Sequence, residues 1–282
     1  IACRKKRNSG YCAYRHALID PQMPQPTQLR LFTRKPSCQF FLGTHLTGWL
    51  RHTEVPLFVS RRRLVRQKTW RPATAPWALD SGGFSELSLF GRWTVEPEQY
   101  AGEVVAWQAQ IGRLQWAAIQ DWMCEPVILS QTGLTVFEHQ RRSVQSYLDL
   151  SRIAPGVPWA PVVQGWTVAD YLRCVELYRS AGVELSRLPV VGVGSVCRRQ
   201  HSDEAVEIFR ALHGQGLRLH GFGLKIKGLE KAAHYLVSAD SLAWSLAGRR
   251  EKIPGHPHKT CANCYQFAME WRAKVLKIEG VE

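Results

Sequence analysis

Eight short apolar segments, separated by longer amphipathic stretches, are the feature of this 282-residue chain that most restricts its fold. The candidate strands cover residues 38–43, 55–59, 76–80, 116–121, 159–164, 188–193, 217–223 and 235–240. The clearest candidate helices cover residues 97–112, 134–150, 167–182 and 202–214. Buried strands that alternate with helices are typical of a parallel sheet. Eight of them fit a closed (β/α)8 barrel, so we predict an α/β protein with a TIM-barrel domain.

The rest of the chain divides around this barrel. We place the catalytic barrel at residues 37–249, and we expect a zinc-binding segment and a C-terminal helix over residues 250–282. Residues 1–36 combine basic residues with prolines and show no periodicity, which predicts a basic N-terminal extension. No stretch of about 18 apolar residues occurs, so we expect no membrane-spanning helix and no membrane partner.

Positive charge is concentrated in the first quarter of the chain. The net charge is +14, and residues 1–71 contain 15 Lys and Arg but only Asp20 and Glu54 as acids, a net +13 for that segment. Such a basic flank favours a polyanionic partner, and a solvated segment that only aids solubility is the alternative. The residues predicted to bind nucleic acid are Arg61, Arg62, Arg63, Arg66 and Lys68.

Three aspartates stand at the ends of candidate strands. The active site of such a barrel lies at the carboxyl ends of its strands, and Asp80, Asp121 and Asp240 each end one of them. A ring of carboxylates suits acid–base and covalent catalysis at an electron-poor carbon, as in glycosyl transfer. Their mutual repulsion would raise the pKa of one of them. The alternative is that each aspartate only caps a strand end.

The residues around these aspartates favour a flat ligand. Two adjacent glycines let the backbone approach a ring, an aromatic side chain can stack on it, and an amide can bind a base edge. A glycine turn at 192–194 is by itself a weak signal. The predicted substrate-binding residues are Ser81, Gly82, Gly83, Phe84, Gln164, Gly165 and Gly194.

Four candidate metal ligands lie close together near the end of the chain. His256, His258, Cys261 and Cys264 are compact enough to surround one tetrahedral Zn²⁺, and four protein ligands indicate a structural site. A redox Cys-x-x-Cys is the alternative, although such motifs follow the first strand of a βαβ unit. The eight cysteines are too few for a disulfide-dense scaffold, which favours a reducing, cytoplasmic setting.

Several motifs, taken in order, resemble the landmarks of the tRNA-guanine transglycosylase superfamily. They are Asp80-Ser81-Gly82-Gly83-Phe84, Gln164-Gly165, the glycine turn at 192–194, Gly221-Phe222-Gly223 and Ala239-Asp240-Ser241. Longer strings look closer to the DNA-acting branch, the phage and bacterial 7-deazapurine DNA-modification transglycosylases (DpdA-like). They are the segments 77–84 (WALDSGGF), 120–126 (QDWMCEP) and 261–264 (CANC). The resemblance covers roughly residues 38–275.

The resemblance implies a base exchange in which guanine leaves its deoxyribose and a 7-deazaguanine such as preQ0 replaces it. Asp240 matches the nucleophile that attacks C1′, and Asp80 matches the acid–base residue. Asp121 matches the aspartate that binds the Watson–Crick edge of the base. Phe84 matches the aromatic residue that stacks on the base, while Gln164 and the backbone near Gly194 match further base contacts.

The zinc site departs from the pattern of the related tRNA enzymes, which use three cysteines and a later histidine. No histidine follows Cys264 here, so His256 and His258 would complete the set. The partners expected from the resemblance are DNA, a free 7-deazaguanine base and proteins of a DNA-modification system. The alternatives are a tRNA-guanine transglycosylase, a non-catalytic nucleic-acid-binding barrel, and a glycosylase that releases guanine without replacing it.

Overall fold

The computed structural model describes residues 37–199 and 202–282. The basic extension predicted over residues 1–36 therefore lies outside the described residues. The described part is an α/β fold built on one parallel sheet.

Nine short parallel strands form the sheet within the described residues. They are β1 (Gln39–Thr44), β2 (Leu57–Ser60), β3 (Trp77–Asp80), β4 (Leu114–Ala118), β5 (Trp159–Ala160), β6 (Val162–Val163), β7 (Val191–Val193), β8 (Leu219–Gly221) and β9 (Leu236–Ser241). All eight predicted strand segments are present. The largest difference is at β4, which begins two residues earlier and ends three residues earlier than predicted.

The order of the strands explains how the sheet closes. The sheet runs β5-β4-β3-β2-β1-β9-β8-β7-β6, so its two edges are β5 and β6. These two segments follow each other in the chain and are separated only by Pro161. Proline has no N–H to donate to a neighbouring strand, so it interrupts the ladder. The nine segments therefore occupy eight strand positions, which confirms the predicted (β/α)8 barrel.

Helices follow the strands around the barrel. Within the described residues they are α1 (Arg61–Leu64), α2 (Gly83–Phe90), α3 (Pro97–Ile111), α4 (Pro126–Thr132), α5 (Val136–Ile153), α6 (Val168–Ser180), α7 (Asp203–Gly214), α8 (Ile226–Ala232), α9 (Ala243–Arg250) and α10 (Tyr265–Val275). None of the helices in that part of the chain is long and apolar enough to cross a membrane.

Local sequence signals fix where several helices begin. Pro97 occupies the first turn of α3, where its missing N–H has no partner to lose. Thr167 and Asp170 form a reciprocal capping box at the start of α6. The Ser202 hydroxyl accepts a hydrogen bond from the N–H of Ala205 at the start of α7, as its position before two acidic residues predicts.

The barrel interior is packed with aromatic side chains below the carboxyl ends of the strands. Phe41, Phe58 and Trp116 belong to one buried cluster inside the barrel. The ring of His220 lies among them, with its centroid 4.6 Å from that of Trp116 and 5.5 Å from that of Phe58. These rings fill the barrel interior below the carboxyl ends of the strands, the end at which such barrels place their active sites.

Candidate active site and metal centre

A cavity opens at the carboxyl end of the barrel and contains all three predicted aspartates. Its volume is about 170 Å³, and an engineered cavity of about 150 Å³ holds benzene, so a flat ring system fits. The predicted residues that line it are Asp80, Ser81, Gly83, Phe84, Asp121, Gly194 and Asp240.

Asp240 is held through one of its two carboxylate oxygens. The N–H of Gly223 donates to Asp240 Oδ1 over 2.9 Å, and His220 Nε2 lies 3.3 Å from the same oxygen. His220 Nδ1 contacts the Ser238 hydroxyl at 2.9 Å. Burial lowers the pKa of His220, so the imidazole is neutral. These contacts orient the carboxylate, and among the described residues both fall on Oδ1, which leaves Oδ2 for a ligand.

Asp80 ends β3 and lines the same cavity as Asp240. Burial raises the pKa of Asp80, and the negative charge of Asp240 adds to the increase, while hydrogen bonds from Gly82 and Ser60 act against it. The N–H of Gly82 donates to Asp80 Oδ1 over 3.1 Å. Gly82 adopts a left-handed φ of +82° at the start of α2, a conformation that favours glycine. A carboxyl group with a raised pKa can hold a proton for transfer to a leaving group.

Asp121 lies three residues beyond the end of β4, so the predicted strand was three residues too long at this end. Gln164 Nε2 donates to Asp121 Oδ2 over 2.5 Å, and the Ser81 hydroxyl lies 3.4 Å from Oδ1. Burial, reinforced by the charge of Asp80, raises the pKa of Asp121 to about 7. Its carboxylate is therefore a hydrogen-bond acceptor that titrates near neutral pH.

Gly82, Gln164 and Gly165 are not among the residues that line the cavity, and their direct contact with substrate stays a prediction. Gln164 is fully buried, and its amide contacts Asp121 and Ser195. A Cβ on Gly165 would lie 2.7 Å from the Cβ of Asp170, so this glycine lets α6 pack closely. A Cβ on Gly194 would overlap the side-chain amide of Gln164, so Gly194 makes room for that amide.

Phe84 lies at the mouth of the cavity. This residue is 38% exposed, and the guanidinium of Arg198 lies 4.7 Å from the centre of its ring. An arginine over an aromatic face is an attractive cation–π arrangement. The stacking platform predicted from the sequence therefore has a cation on one face.

The five basic residues predicted to bind nucleic acid follow the carboxyl end of β2, at the same end of the barrel as the cavity. Arg63, Arg66 and Lys68 are exposed. Arg61, by contrast, is 6% exposed and donates two hydrogen bonds to Glu103, of 2.6 and 2.8 Å. Arg62 is half-buried and pairs with Glu86 at 3.1 Å. Only part of the basic run is therefore available to a polyanion.

The four predicted metal ligands converge between α9 and α10. Their donor atoms all lie within 4.8 Å of one another. His258 Nε2 lies 3.3 Å from Cys261 Sγ, and His256 Nδ1 lies 3.5 Å from Cys264 Sγ. His256 Nε2 contacts the side-chain oxygen of Gln266 at 3.1 Å, the kind of outer contact that orients a metal-binding imidazole. This cluster can hold a metal ion.

The residues that sequence reasoning missed are His220, Glu125 and Ser195. His220 contacts Asp240, and Glu125 and Ser195 line the cavity beside Asp121. Glu125 falls inside the string 120–126 that carries the resemblance, which was a usable signal. His220 is a polar residue in β8, an otherwise apolar strand. The two strands beside β8 lead to predicted active-site residues, so the position of His220 could have identified it.

A known protein family matches nearly the whole described part of the chain. The family model, described as DpdA, DeoxyPurine in DNA protein A, matches residues 37–281. A search of curated proteins finds no match.

Proposed function

The chain belongs to the DpdA (DeoxyPurine in DNA protein A) family, and from this we propose that it replaces guanine in DNA with a 7-deazaguanine base such as preQ0. The observation that carries the proposal is the set of Asp80, Asp121 and Asp240 in one cavity at the barrel mouth. Their three environments favour three different roles, as is common where one site performs acid, base and nucleophilic chemistry.

In the first half of the proposed reaction, Asp240 Oδ2 attacks C1′ of the target deoxyguanosine. A carboxylate–C1′ bond forms while the bond from C1′ to N9 of guanine breaks. Asp80 gives its proton to the departing guanine, so the base leaves neutral. The hydrogen bonds from Gly223 and His220 to Oδ1 support this step, because they fix the direction of the carboxylate.

In the second half, the incoming 7-deazaguanine occupies the place of guanine. Asp80 takes the proton from N9, N9 attacks C1′, and the bond to Asp240 breaks. The proton on Asp80 and the free carboxylate of Asp240 are both restored, so the exchange needs no further reactant. Aromatic residues below the cavity support retention of the glycosyl intermediate, because they limit the access of water from inside the barrel.

In the proposed complex, Asp121 accepts hydrogen bonds from the N–H groups of the guanine edge, and Phe84 stacks on the base. The exposed Arg63, Arg66 and Lys68 contact phosphates beside the cavity. A base in a duplex must leave the stack to reach such a cavity. Action together with other proteins of a DNA-modification system, in the cytoplasm, stays a prediction.

For the metal cluster we propose a structural Zn²⁺ held by His256, His258, Cys261 and Cys264. A tetrahedral zinc with Zn–N of about 2.0 Å and Zn–S of about 2.3 Å separates its ligand atoms by about 3.3–3.8 Å. The contacts of 3.3 and 3.5 Å between imidazole nitrogens and sulfurs fit this spacing. The ion would join the loop after α9 to the start of α10 and take no part in the chemistry.

The test of the proposed function is a competition between nucleic acids. The protein is supplied with labelled preQ0 and either guanine-containing duplex DNA or tRNA, and the label in each polymer is counted. We expect label in DNA. Label in tRNA alone would indicate the related tRNA activity, since RNA offers 2′-hydroxyls that DNA lacks. Release of guanine without added preQ0 would indicate a hydrolytic glycosylase, and no reaction with either polymer would contradict the proposal.

A further inference from the structure

A chain of hydrogen bonds joins Asp121 to a second buried acid, Glu125. Asp121 Oδ2 and Gln164 Nε2 are 2.5 Å apart, and Gln164 Oε1 and Ser195 Oγ are 2.7 Å apart. Ser195 Oγ and Glu125 Oε2 are 2.9 Å apart. All four side chains are buried. The reaction proposed above assigns no role to Glu125 or Ser195.

The number of hydrogens in this chain determines the charge of its ends. The Ser195 hydroxyl has one hydrogen, and it already accepts a bond of 2.7 Å from the N–H of Cys124. If both acids were ionised, Ser195 could donate either to Gln164 or to Glu125. The other contact would then join two acceptors with no hydrogen between them. A buried contact of that kind is strongly unfavourable, so one of the two acids carries a proton.

The orientation of the Gln164 amide decides which acid carries it. As placed, the amide donates to Asp121 from Nε2 and accepts from Ser195 through Oε1. The Ser195 hydrogen is then used on Gln164, so the hydrogen between Ser195 and Glu125 must come from Glu125. Turning the amide over would reverse every bond and move the proton to Asp121. A bound base with two N–H donors needs an ionised acceptor at Asp121. It therefore favours the first orientation, in which Nε2 of Gln164 donates to Asp121 and Glu125 carries the proton.

The surroundings of Glu125 are compatible with a neutral acid. Burial raises the pKa of Glu125, while the Ser195 hydrogen bond and the charges of Arg198 and Arg199 lower it. A charge on Glu125 contributes to the raised pKa of Asp121. Keeping Glu125 neutral therefore helps Asp121 to remain an ionised acceptor.

We propose that Glu125 is a positioning residue whose carboxyl proton orders Ser195 and Gln164, so that the ionised Asp121 accepts hydrogen bonds from the base. This inference rests on the proposed function only in its choice of ligand, an N–H-donating purine or 7-deazapurine base. The proton itself follows from the hydrogen-bond geometry.

Substitution of Glu125 separates a neutral acid from an ionised one. Glu125→Gln supplies an uncharged amide that can donate to Ser195, so we expect the KM for labelled preQ0 to stay within about threefold. Glu125→Ala and Ser195→Ala remove the donor or the relay, so each raises this KM at least about tenfold, with a smaller change in kcat. Because both act through one chain, the double variant should be no worse than either single one. Glu98→Gln, an exposed glutamate on α3, is the matched control.

Infrared spectroscopy tests the proton without any turnover. The difference spectrum between the parent protein and Glu125→Gln at neutral pH should contain the carbonyl band of a carboxylic acid, and Glu98→Gln should give no such band. A band without base exchange would overturn the proposed function and leave the proton assignment standing. Absence of the band, or a Glu125→Gln variant as impaired as Glu125→Ala, would overturn this inference.

Discussion

The three aspartates of the cavity differ in what surrounds each carboxylate. Asp240 receives its hydrogen bonds on Oδ1 from a backbone N–H and an imidazole. Asp80 lines the same cavity as Asp240 and has a raised pKa. Asp121 stands at one end of a chain of hydrogen bonds formed by the Gln164 amide and the Ser195 hydroxyl. Environment rather than residue type therefore separates the proposed nucleophile, acid and base-binding group.

Sequence position predicted which aspartates meet, since the carboxyl ends of parallel strands share one end of the barrel. It could not predict their different environments. The partners that create those environments, such as His220 and Ser195, come from strands and loops far apart in the chain. The sequence likewise could not predict that the Gln164 amide donates to Asp121 and is not among the residues that line the cavity.

The proposed base exchange should depend on pH through the carboxyl groups of Asp121 and Asp80. Asp121 must be ionised to accept from the base, and its pKa is about 7, so kcat/KM for preQ0 should fall as the pH drops below about 7. The fall should approach tenfold per pH unit. Asp80 must be protonated to act as the acid, so activity should also fall as the pH rises through its raised pKa.

A profile of initial rates against pH checks this expectation. Asp149→Asn is the control, because it changes a half-buried carboxylate on α5 that pairs with Arg152. This variant should keep both the acid and the alkaline decline of the pH profile. A profile that does not decline on the acid side would contradict the role given to Asp121.

At the level of helices and strands, apolar segments predicted the architecture better than the boundaries. Ile119 extends the apolar run of β4, yet the ladder ends at Ala118 and the following residues turn, with the N–H of Asp121 donating to the carbonyl of Ile119. The single predicted strand 159–164 is divided into β5 and β6 at Pro161, because proline has no N–H to donate to a neighbouring strand. Short helices such as α2 and α4 were not predicted, because two turns contain too few residues to show a clear periodicity.

The loop between α9 and α10, which contains the four candidate metal ligands, packs against both helices. The loop after α9 approaches that helix closely: the N–H of Cys261 donates to the carbonyl of Gly248 over 2.7 Å. Cys264 caps α10 through a contact with the N–H of Phe267. Loss of the metal should therefore loosen this loop and the first turn of α10 more than the barrel.

Cys261→Ser should abolish bound zinc and increase hydrogen exchange over residues 252–268, while exchange in β1 to β4 changes little. Metal content is measured by elemental analysis of the purified protein. Cys38→Ser, which alters a buried cysteine outside the cluster, should retain one zinc per chain. Full zinc content in Cys261→Ser would contradict the proposed ligand set.

For the whole molecule, the relevant feature is where charge lies relative to the cavity. The segment that contains Arg63, Arg66 and Lys68 follows β2 at the carboxyl end of the barrel. A basic rim beside an acidic cavity can hold phosphates while one base enters. The total charge predicted a polyanionic partner, but only the fold shows that Arg61 and Arg62 are occupied by Glu103 and Glu86.

Replacing Arg63, Arg66 and Lys68 together by Ala should weaken DNA binding and reduce its salt dependence. Each side chain that no longer neutralises a phosphate lowers the slope of log K against log salt by about 0.9, so the slope should decrease by up to about 3. Binding isotherms at several salt concentrations measure this. The matched control is the Ala variant of the exposed Arg187, Arg218 and Lys277, the first two of which precede β7 and β8 at the opposite end of the barrel. An equal loss in the control would argue against a specific basic rim.

The most direct test of the central claim is the dependence of base exchange on Asp240. Labelled preQ0 is incubated with guanine-containing duplex DNA and either the parent protein, Asp240→Asn, or Asp203→Asn, which changes an exposed aspartate on α7. A covalent mechanism predicts label in DNA with the parent and Asp203→Asn. It predicts a rate lower by at least about 10³-fold with Asp240→Asn, because the amide that replaces the carboxylate is a poor nucleophile toward C1′. Incorporation by Asp240→Asn at a rate close to that of the parent would contradict the account.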